Sequence, residues 1–338
     1  MTAPRLITGI SGQDGAYLAA QLLERGDSVV GTRRPGVDDA APWRLRELGI
    51  ATHPRLRLIP LDLADARACQ ALLATLQPAA LFHLAAQSRV VESFRDPEAT
   101  LQANGQATVN LLEAVRAASP QTHFVLASSA ELFGNAPHSP QSERTPFAPR
   151  NPYAVAKHFA HAATQDYRVQ HGLHASCAIL FNHESPLRDA DFVTRKIAAA
   201  AVRLARGGGA PLALGNLDAQ RDFGFAPEYV SALIAMAEQP KADDYVLATG
   251  VATSIRRFAE LTFAAAGIAL AWRGAGVDEQ ACDAQGRLML VVDPALFRAI
   301  DAAVLVGDAG KARAALGFVP RTGVAELARL MAAAEQRR

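Results

Sequence analysis

An α/β fold, a doubly wound parallel sheet with a smaller C-terminal lobe, is predicted by three observations. Short apolar runs alternate with segments of helical period through the first half of the chain; a glycine fingerprint joins the first run to the first helical segment; and after Phe181 the rhythm turns irregular. Arg5-Leu6-Ile7-Thr8 is the first apolar run, and Ala16 to Leu23 then carries helical apolar spacing. Ser28-Val29-Val30-Gly31 reads as the second strand and Leu56 to Leu61 as the third. The helix-like Cys69 to Leu76, the strand Ala80 to Leu84, the helix Thr108 to Ala117 and the strand His123 to Ala127 follow, and Ile179-Leu180-Phe181 closes the series. Strand and helix repeated in this way imply a parallel sheet covered on both faces. Beyond it, Gly207-Gly208-Gly209 and proline-containing turns suggest insertions at the carboxyl edge of the sheet, where such folds bind substrates.

Composition narrows the function classes. Half of the 338 residues are hydrophobic and a fifth are charged, enough for a large core divided between two lobes. A formal net charge of +1 gives no basic field for nucleic acid, so an anionic partner must be met by local Arg and Lys. The alanine-rich stretch Ile197 to Ala205 is interrupted by Arg203 and flanked by Lys196 and Arg206, which argues against a membrane span. Cys69, Cys177 and Cys282 are scattered, without metal or disulfide spacing, and suit a reducing compartment. The N-terminus runs straight into the first strand without a leader pattern. A cytoplasmic enzyme is the expectation.

Thr8-Gly9-x-x-Gly12-x-x-Gly15 lies between the first strand and first helix, the context a Rossmann-type glycine fingerprint requires. Its glycines permit a tight turn and close backbone approach, and the helix N-terminus offers N–H groups and a positive dipole end to a pyrophosphate. Arg33 and Arg34 follow the second strand, where a site for NAD usually presents an acid to the ribose. Two guanidiniums suit a 2′-phosphate and favour NADP; a solvated basic turn is the other reading. Asp62 follows the third strand and could meet the adenine edge, while Ala85, Ala86 and Gln87 follow the fourth. Residues 1–182, with a return segment near 221–255, are thus expected to form the dinucleotide-binding Rossmann domain, and 183–220 with 256–338 the substrate-binding lobe.

The chemistry centres on Ser128-Ser129-Ala130-Glu131 together with Tyr153 and Lys157. Tyr153 and Lys157 are four apart and share one face of a helix. An ammonium beside a phenol favours the phenolate and brings it towards the range of a general base. With a hydroxyl and a carboxylate nearby, such a set can both oxidise an alcohol and eliminate water. His158 and His161, and His171 and His174, are each three apart. Without sequence-adjacent Cys or paired acids they read as exposed helical histidines, and no metal is expected.

These residues resemble the extended short-chain dehydrogenases that act on sugar nucleotides, and most closely the GDP-mannose 4,6-dehydratase family. The similarity covers nearly the whole chain: Thr8 to Gly15, Ala86-Gln87-Ser88, Ser128 to Gly134 and Tyr153-Ala154-Val155-Ala156-Lys157. It continues through Phe181-Asn182-His183-Glu184-Ser185-Pro186, Phe192-Val193-Thr194-Arg195-Lys196-Ile197 and Leu214 to Asp222, the motifs that discriminate the dehydratase branch. The resemblance implies that Tyr153 takes the proton of the sugar 4-hydroxyl, that Lys157 supports the phenol and the nicotinamide ribose, and that Ser129 bonds the carbon 4 oxygen. Glu131 would remove the carbon 5 proton and pass it to the departing 6-hydroxyl. Ala130 stands where thymidine-diphosphate glucose dehydratases place an Asp, and 4-epimerases usually have no carboxylate at Glu131. The implied NADP site comprises Gly9, Gly12, Gln13, Asp14, Gly15, Arg33, Arg34, Asp62, Leu63, Leu84, Ala85, Ala86, Gln87, His183 and Arg188, with Tyr153 and Lys157. The implied GDP-sugar site comprises Ser88, Asn182, Glu184, Val193, Lys196, Leu214, Gly215, Arg221, Arg298 and Asp301, with Ser129 and Glu131.

The chain departs from the family at Pro35-Gly36-Val37-Asp38-Asp39, where a Ser-rich loop commonly reaches a neighbouring subunit. A homodimer through helices of the sheet lobe is therefore expected, with a tetramer as the alternative. Phe133, Phe223, Ala299 and Asp301 also differ from the usual residues, so the expected substrate is GDP-mannose or a GDP-mannoheptose. The rival functions are a reductase or epimerase of GDP-linked 4-keto sugars, against which Glu131 argues, and a non-enzymatic NADP sensor, against which Tyr153 and Lys157 argue.

Overall fold

The computed structural model describes residues 3–36, 42–296 and 304–338. Val37, Asp38, Asp39, Arg298, Ala299 and Asp301, singled out from the sequence, lie outside the described residues. The chain forms two compact units.

The first unit comprises Met1–Phe181, Ala226–Leu247 and Asp308–Val319. Its strands are β1 (Arg5–Thr8), β2 (Val29–Arg33), β3 (Leu56–Pro60), β4 (Ala80–His83), β5 (His123–Ala127) and β6 (Ala175–Leu180), with a seventh at Asp244–Leu247. All pair in parallel, and the order across the sheet is Asp244–Leu247, β6, β5, β4, β1, β2, β3. The winding direction reverses between β1 and β4, the switch point at which open α/β sheets bind ligands. This is the parallel, Rossmann-type architecture predicted from the apolar runs. β4 and β6 are buried at every position, as strands covered on both faces must be, whereas the edge strand β3 is only half-buried. Leu6, Leu81, Phe124 and Leu126 of the sheet pack with Leu73, Leu111, Leu112 and Val115 of the covering helices.

The switch point is built by close backbone approach. β1 and β4 run in register from Arg5 beside Ala80 to Thr8 beside His83, so their carboxyl ends are level. Gly9 turns there at φ +74°, and a Cβ on it would lie 2.7 Å from the Ala85 nitrogen. Gly15, in the first turn of helix α1 (Gln13–Glu24), would place a Cβ 2.4 Å from the Gly9 oxygen. Below this turn His83 is buried between Thr8 Oγ1 at 2.8 Å and Thr108 Oγ1 at 3.1 Å. Burial pushes its pKa down to about 3, so it is a neutral strut between β1, β4 and the helix Ala107–Ala118.

The expected return segment near 221–255 narrows to Ala226–Leu247, which supplies the helix Ala226–Ala237 and the edge strand. Residues 220–222 and 252–254 instead pair with each other inside the second unit. A further return, Asp308–Val319, carries the short helix Gly310–Leu316.

The second unit comprises Asn182–Phe225, Ala248–Gly307 and Pro320–Arg338. Its core gathers Ile197 and Ala201 of the helix Val193–Ala205, Phe258 and Phe263 of Ile255–Ala265, and Leu327 and Met331 of Val324–Arg337. Short strands border this core in one sheet of four and one of three. Asp222, fully buried, joins them by accepting from Thr249 N at 2.8 Å, Thr249 Oγ1 at 2.6 Å, Gly250 N at 2.8 Å and Gly307 N at 3.3 Å. Among the described residues no helix is long and apolar enough to cross a membrane.

Gly9→Ala must both hold a left-handed backbone and displace Ala85, and is expected to destabilise the protein by about 2 kcal/mol or more. Gly26→Ala, at φ +93° with nothing within 4 Å, should cost only about 1 kcal/mol. Urea denaturation of the two variants measures the difference.

Candidate active site

β5 ends at Ala127, and the chain turns through Ser128 and Ser129 into a single 3₁₀ turn, Ala130–Phe133. The two serines divide their work. Ser129 caps the turn, its Oγ accepting from Glu131 N at 3.2 Å, while Ser128 Oγ meets His161 Nδ1 at 3.0 Å. Gly134 closes the turn at φ +53°, where a Cβ would fall 2.1 Å from the Ala148 oxygen. That approach lets Ala148 N donate to Leu132 O at 2.8 Å, which lays the segment leading to Asn151 along the turn that carries Glu131.

The helix Pro152–His171 starts beside this turn. Asn151 is its N-cap, with Oδ1 accepting from Ala154 N at 2.8 Å, and Pro152 occupies the first helical position, where its missing N–H costs nothing. Tyr153 and Lys157 follow on one face and are both buried. Lys157 Nζ donates to Ala127 O at 2.8 Å, bonding the helix to the end of β5. Burial of the ammonium lowers its pKa from 10.5 to about 8. Half-buried Glu131 is held from the other side, its Oε2 accepting from Asn151 Nδ2 at 3.1 Å. Two buried tethers, Lys157 to Ala127 and Asn151 to Glu131, thus bring Ser129, Glu131, Tyr153 and Lys157 together in the first unit. A phenol beside a titratable amine can exchange a proton with a hydroxyl, and a fixed carboxylate nearby can move a second one.

Within the same unit the glycine turn fits a dinucleotide. Gly9 and Gly15 allow a close backbone packing of the turn that a Cβ would block, and Gly12, the N-cap of α1, offers no side chain to the helix start. Gln13 is buried and bonds Asp14 Oδ1 at 3.1 Å. Arg33 is the last residue of β2 and Arg34 the exposed next one. Asp62 is exposed past the end of β3, one oxygen accepting from Ala64 N at 3.0 Å, and Leu63 O accepts from Asn110 Nδ2 at 2.8 Å. Leu84, Ala85 and Ala86 line the exit of β4, with Ser88 exposed beyond them. Gln87, expected at the cofactor, is bonded within its loop. Its Nε2 reaches Arg89 O at 3.0 Å and Thr100 Oγ1 at 3.2 Å, and its backbone N bonds Asn104 Oδ1 at 2.8 Å, so its side chain braces the loop.

In the second unit, Asn182 O accepts from Gly224 N at 2.8 Å and buried His183 lies on the short strand His183–Glu184. Glu184, expected at the substrate, and Arg188, expected at the cofactor, pair with each other. Glu184, 2% exposed, accepts from Thr194 Oγ1 at 2.6 Å and pairs with Arg188 Nε at 3.1 Å, while the Arg188 guanidinium lies 3.6 Å over the Phe192 ring. A carboxylate so buried needs these partners. Val193 begins the helix Val193–Ala205, Lys196 is exposed on it, and Arg221 donates to Gln220 O at 2.8 Å. Leu214 is buried, and a Cβ on Gly215 would lie 2.5 Å from Leu296 O.

His161 departs from its predicted exposure. It is buried, and its Nε2 lies 3.5 Å from Asp244 Oδ2. Cys177 completes a group whose ligand atoms lie within 4.8 Å of one another. Sequence spacing hid this cluster because Cys177 arrives on β6 and Asp244 on the edge strand. Arg168 and, at 2.6 Å, Gln165 also bond the Asp244 carboxylate. Burial alone would raise the Asp244 pKa; the His161 and Arg168 groups outweigh it and hold the carboxyl well below its usual range. The cluster is a charge-paired support beneath Ser128.

Comparison with known proteins finds relatives along nearly the whole chain. A sequence model of the family described as GDP-mannose 4,6 dehydratase matches residues 6–331. A GDP-mannose 4,6-dehydratase of Sinorhizobium fredii is 44% identical over 329 residues, 96% of this chain and 93% of that protein. GDP-mannose 4,6 dehydratase 2 of Caenorhabditis elegans is 40% identical over 338 residues, covering 98% and 88%. Among solved structures, RMD from Pseudomonas aeruginosa complexed with NADPH superposes with a TM-score of 0.76 at 26% identity, covering 99% of this chain and 100% of that one.

A lysine ¹³Cε resonance of the ligand-free protein should titrate near pH 8, against 10.5 for an ordinary lysine, and should be absent from Lys157→Met. NMR titration of selectively labelled protein measures it.

Proposed function

This chain belongs to the GDP-mannose 4,6-dehydratase family, and on that premise we propose that it is a GDP-sugar 4,6-dehydratase, a hydro-lyase working with bound NADP. The substrate is GDP-mannose or a GDP-mannoheptose, and the product is the GDP-4-keto-6-deoxy sugar. One observation carries the reading: Glu131 leaves the end of β5 on the same turn as Ser129 and is bonded to the cap of the helix that bears Tyr153 and Lys157. A reductase or epimerase needs the phenol and the lysine but has no task for that carboxylate.

Each residue has a definable proton task. The Tyr153 phenolate accepts the proton of the sugar 4-hydroxyl, and Ser129 Oγ donates to the oxygen that becomes a ketone. Lys157 places positive charge beside the phenol and favours its ionised form. The glycine turn would hold a nicotinamide nucleotide, which would supply a hydride acceptor and donor for carbon 4 and carbon 6. The ketone acidifies the carbon 5 hydrogen, because the carbanion left behind is an enolate. Glu131 takes that proton and gives it to the 6-hydroxyl, which departs as water; as hydride is restored at carbon 6, carbon 5 takes a proton from solvent and Tyr153 gives up the one it accepted. No net reductant is consumed.

Gly9, Gly12 and Gly15 support the pyrophosphate, and Arg33 and Arg34, at the carboxyl end of β2, support a 2′-phosphate, which is our reason for NADP over NAD. Lys196, Arg221 and Arg298 are the cations proposed for the GDP diphosphate. Three buried free thiols suit the reducing cytoplasm, and a homodimer remains our proposed assembly.

Glu131→Gln is expected to bind NADP normally yet form deoxy product at least about 100-fold more slowly, read by mass spectrometry of the sugar nucleotide; near-normal turnover would contradict the proposed reaction. Arg33→Ala combined with Arg34→Ala should weaken NADP binding while leaving NAD little changed, measured by fluorescence titration of both nucleotides.

A further inference from the structure

Asn151 lies outside every motif that the proposed reaction draws on, yet its side chain is bonded both to Glu131 and to the helix of Tyr153 and Lys157. It is 8% exposed, with extended backbone at φ −142° and ψ 159°. Its two bonds are not interchangeable. Ala154 N at 2.8 Å can only donate, so the amide oxygen must face it, and the NH₂ is thereby forced towards Glu131 Oε2 at 3.1 Å. A flipped amide would set NH₂ against N–H and oxygen against carboxylate, losing both bonds at once. The cap therefore orients the donor that holds the carboxylate.

We propose that Asn151 is a positioning residue for the water-elimination step, fixing the Glu131 carboxylate relative to the Tyr153 phenol. The inference rests on the dehydratase reading above. The geometry restricts the freedom that matters. Glu131 has its backbone N–H held by Ser129 Oγ at 3.2 Å and its carboxylate held by Asn151, so rotation about its side-chain bonds is limited at both ends. Tyr153 follows Asn151 by two residues in the first helical turn, so one planar amide sets the separation of the two proton-transferring groups. Oε2 is occupied by the amide, and Oε1 is the oxygen directed to the proton on carbon 5. From there the proton passes to the 6-hydroxyl oxygen as the carbon–oxygen bond breaks and water leaves, so Glu131 ends the cycle as it began.

Two substitutions separate capping from positioning. Asn151→Asp and Asn151→Ser both retain an N-cap oxygen for Ala154, so thermal melting and NADP binding should stay close to wild type. Asp has no donor for Glu131 and sets a second carboxylate against it, and the Ser hydroxyl ends one bond short of the amide nitrogen that reaches Glu131. With GDP-mannose and GDP-mannoheptose in deuterium oxide, deuterium entry at carbon 5 and release of deoxy product should fall about 100-fold. Reduced nicotinamide should accumulate at 340 nm, because oxidation at carbon 4 continues while elimination stalls. Asn151→Ala, which loses the cap as well, should show the same block and a lower melting temperature. Product formation close to wild type in Asn151→Asp would overturn the inference alone. So would equal loss of the 340 nm signal and of carbon 5 exchange, the mark of a general structural defect. Wild-type protein that forms no deoxy product from either sugar nucleotide would overturn the dehydratase reading and this inference with it.

Discussion

A buried ammonium bonded to the last carbonyl of a strand is the interaction on which the site depends. Lys157 is 4% exposed, and its Nζ meets Ala127 O at 2.8 Å. Taking an amine out of water is costly unless it is hydrogen-bonded, and here the cost is met only when the helix Pro152–His171 lies against the end of β5. The same desolvation brings the lysine within reach of neutral pH, where a proton can be shared with a phenol. Everything with chemical potential in the first unit is arranged around that contact. Ser129 and Glu131 leave the strand just after the bonded carbonyl, and Tyr153 sits one turn before the bonded amine.

The sheet supplies the second constraint. Because β1 and β4 end level and the winding reverses between them, the loops after both strands open to the same edge. Gly9 is the residue that lets them approach, and Thr8, His83 and Thr108 lock the layer beneath it. The second unit solves a different problem. Its strands are too short to form a self-sufficient sheet, and buried Asp222 compensates by accepting four hydrogen bonds from three separate backbone positions and one hydroxyl. Glu184 plays a comparable part through Thr194 and Arg188.

The first unit was legible in the sequence because its inner strands are buried on both faces and therefore read as apolar runs, from Leu6-Ile7 to Ala178-Ile179. The proposed catalytic set was legible because Tyr153 and Lys157 share a helix face and Ser129 and Glu131 share a turn. The second unit was not. Strands such as Leu212–Leu214 and Gln220–Asp222 are three residues long and find partners far along the chain, so no local period announces them. His161 was misjudged for the same reason, since Asp244 reaches it from 83 positions away in sequence. Asn151 is the instructive omission. Asn followed by Pro is a plain helix-start signal, and it was present at 151–152, but the bond to Glu131 depends on a tight turn at Gly134 that only the folded backbone defines.

The account stands on Glu131 as the group that turns an alcohol-oxidising site into a water-eliminating one. Its most direct test is the product formed by the purified wild-type protein from GDP-mannose or a GDP-mannoheptose in deuterium oxide, with no reduced nucleotide added. The account predicts a sugar nucleotide lighter by one water and carrying one deuterium at carbon 5. A product of unchanged mass epimeric at carbon 4, or turnover that requires stoichiometric reduced nucleotide, would contradict it.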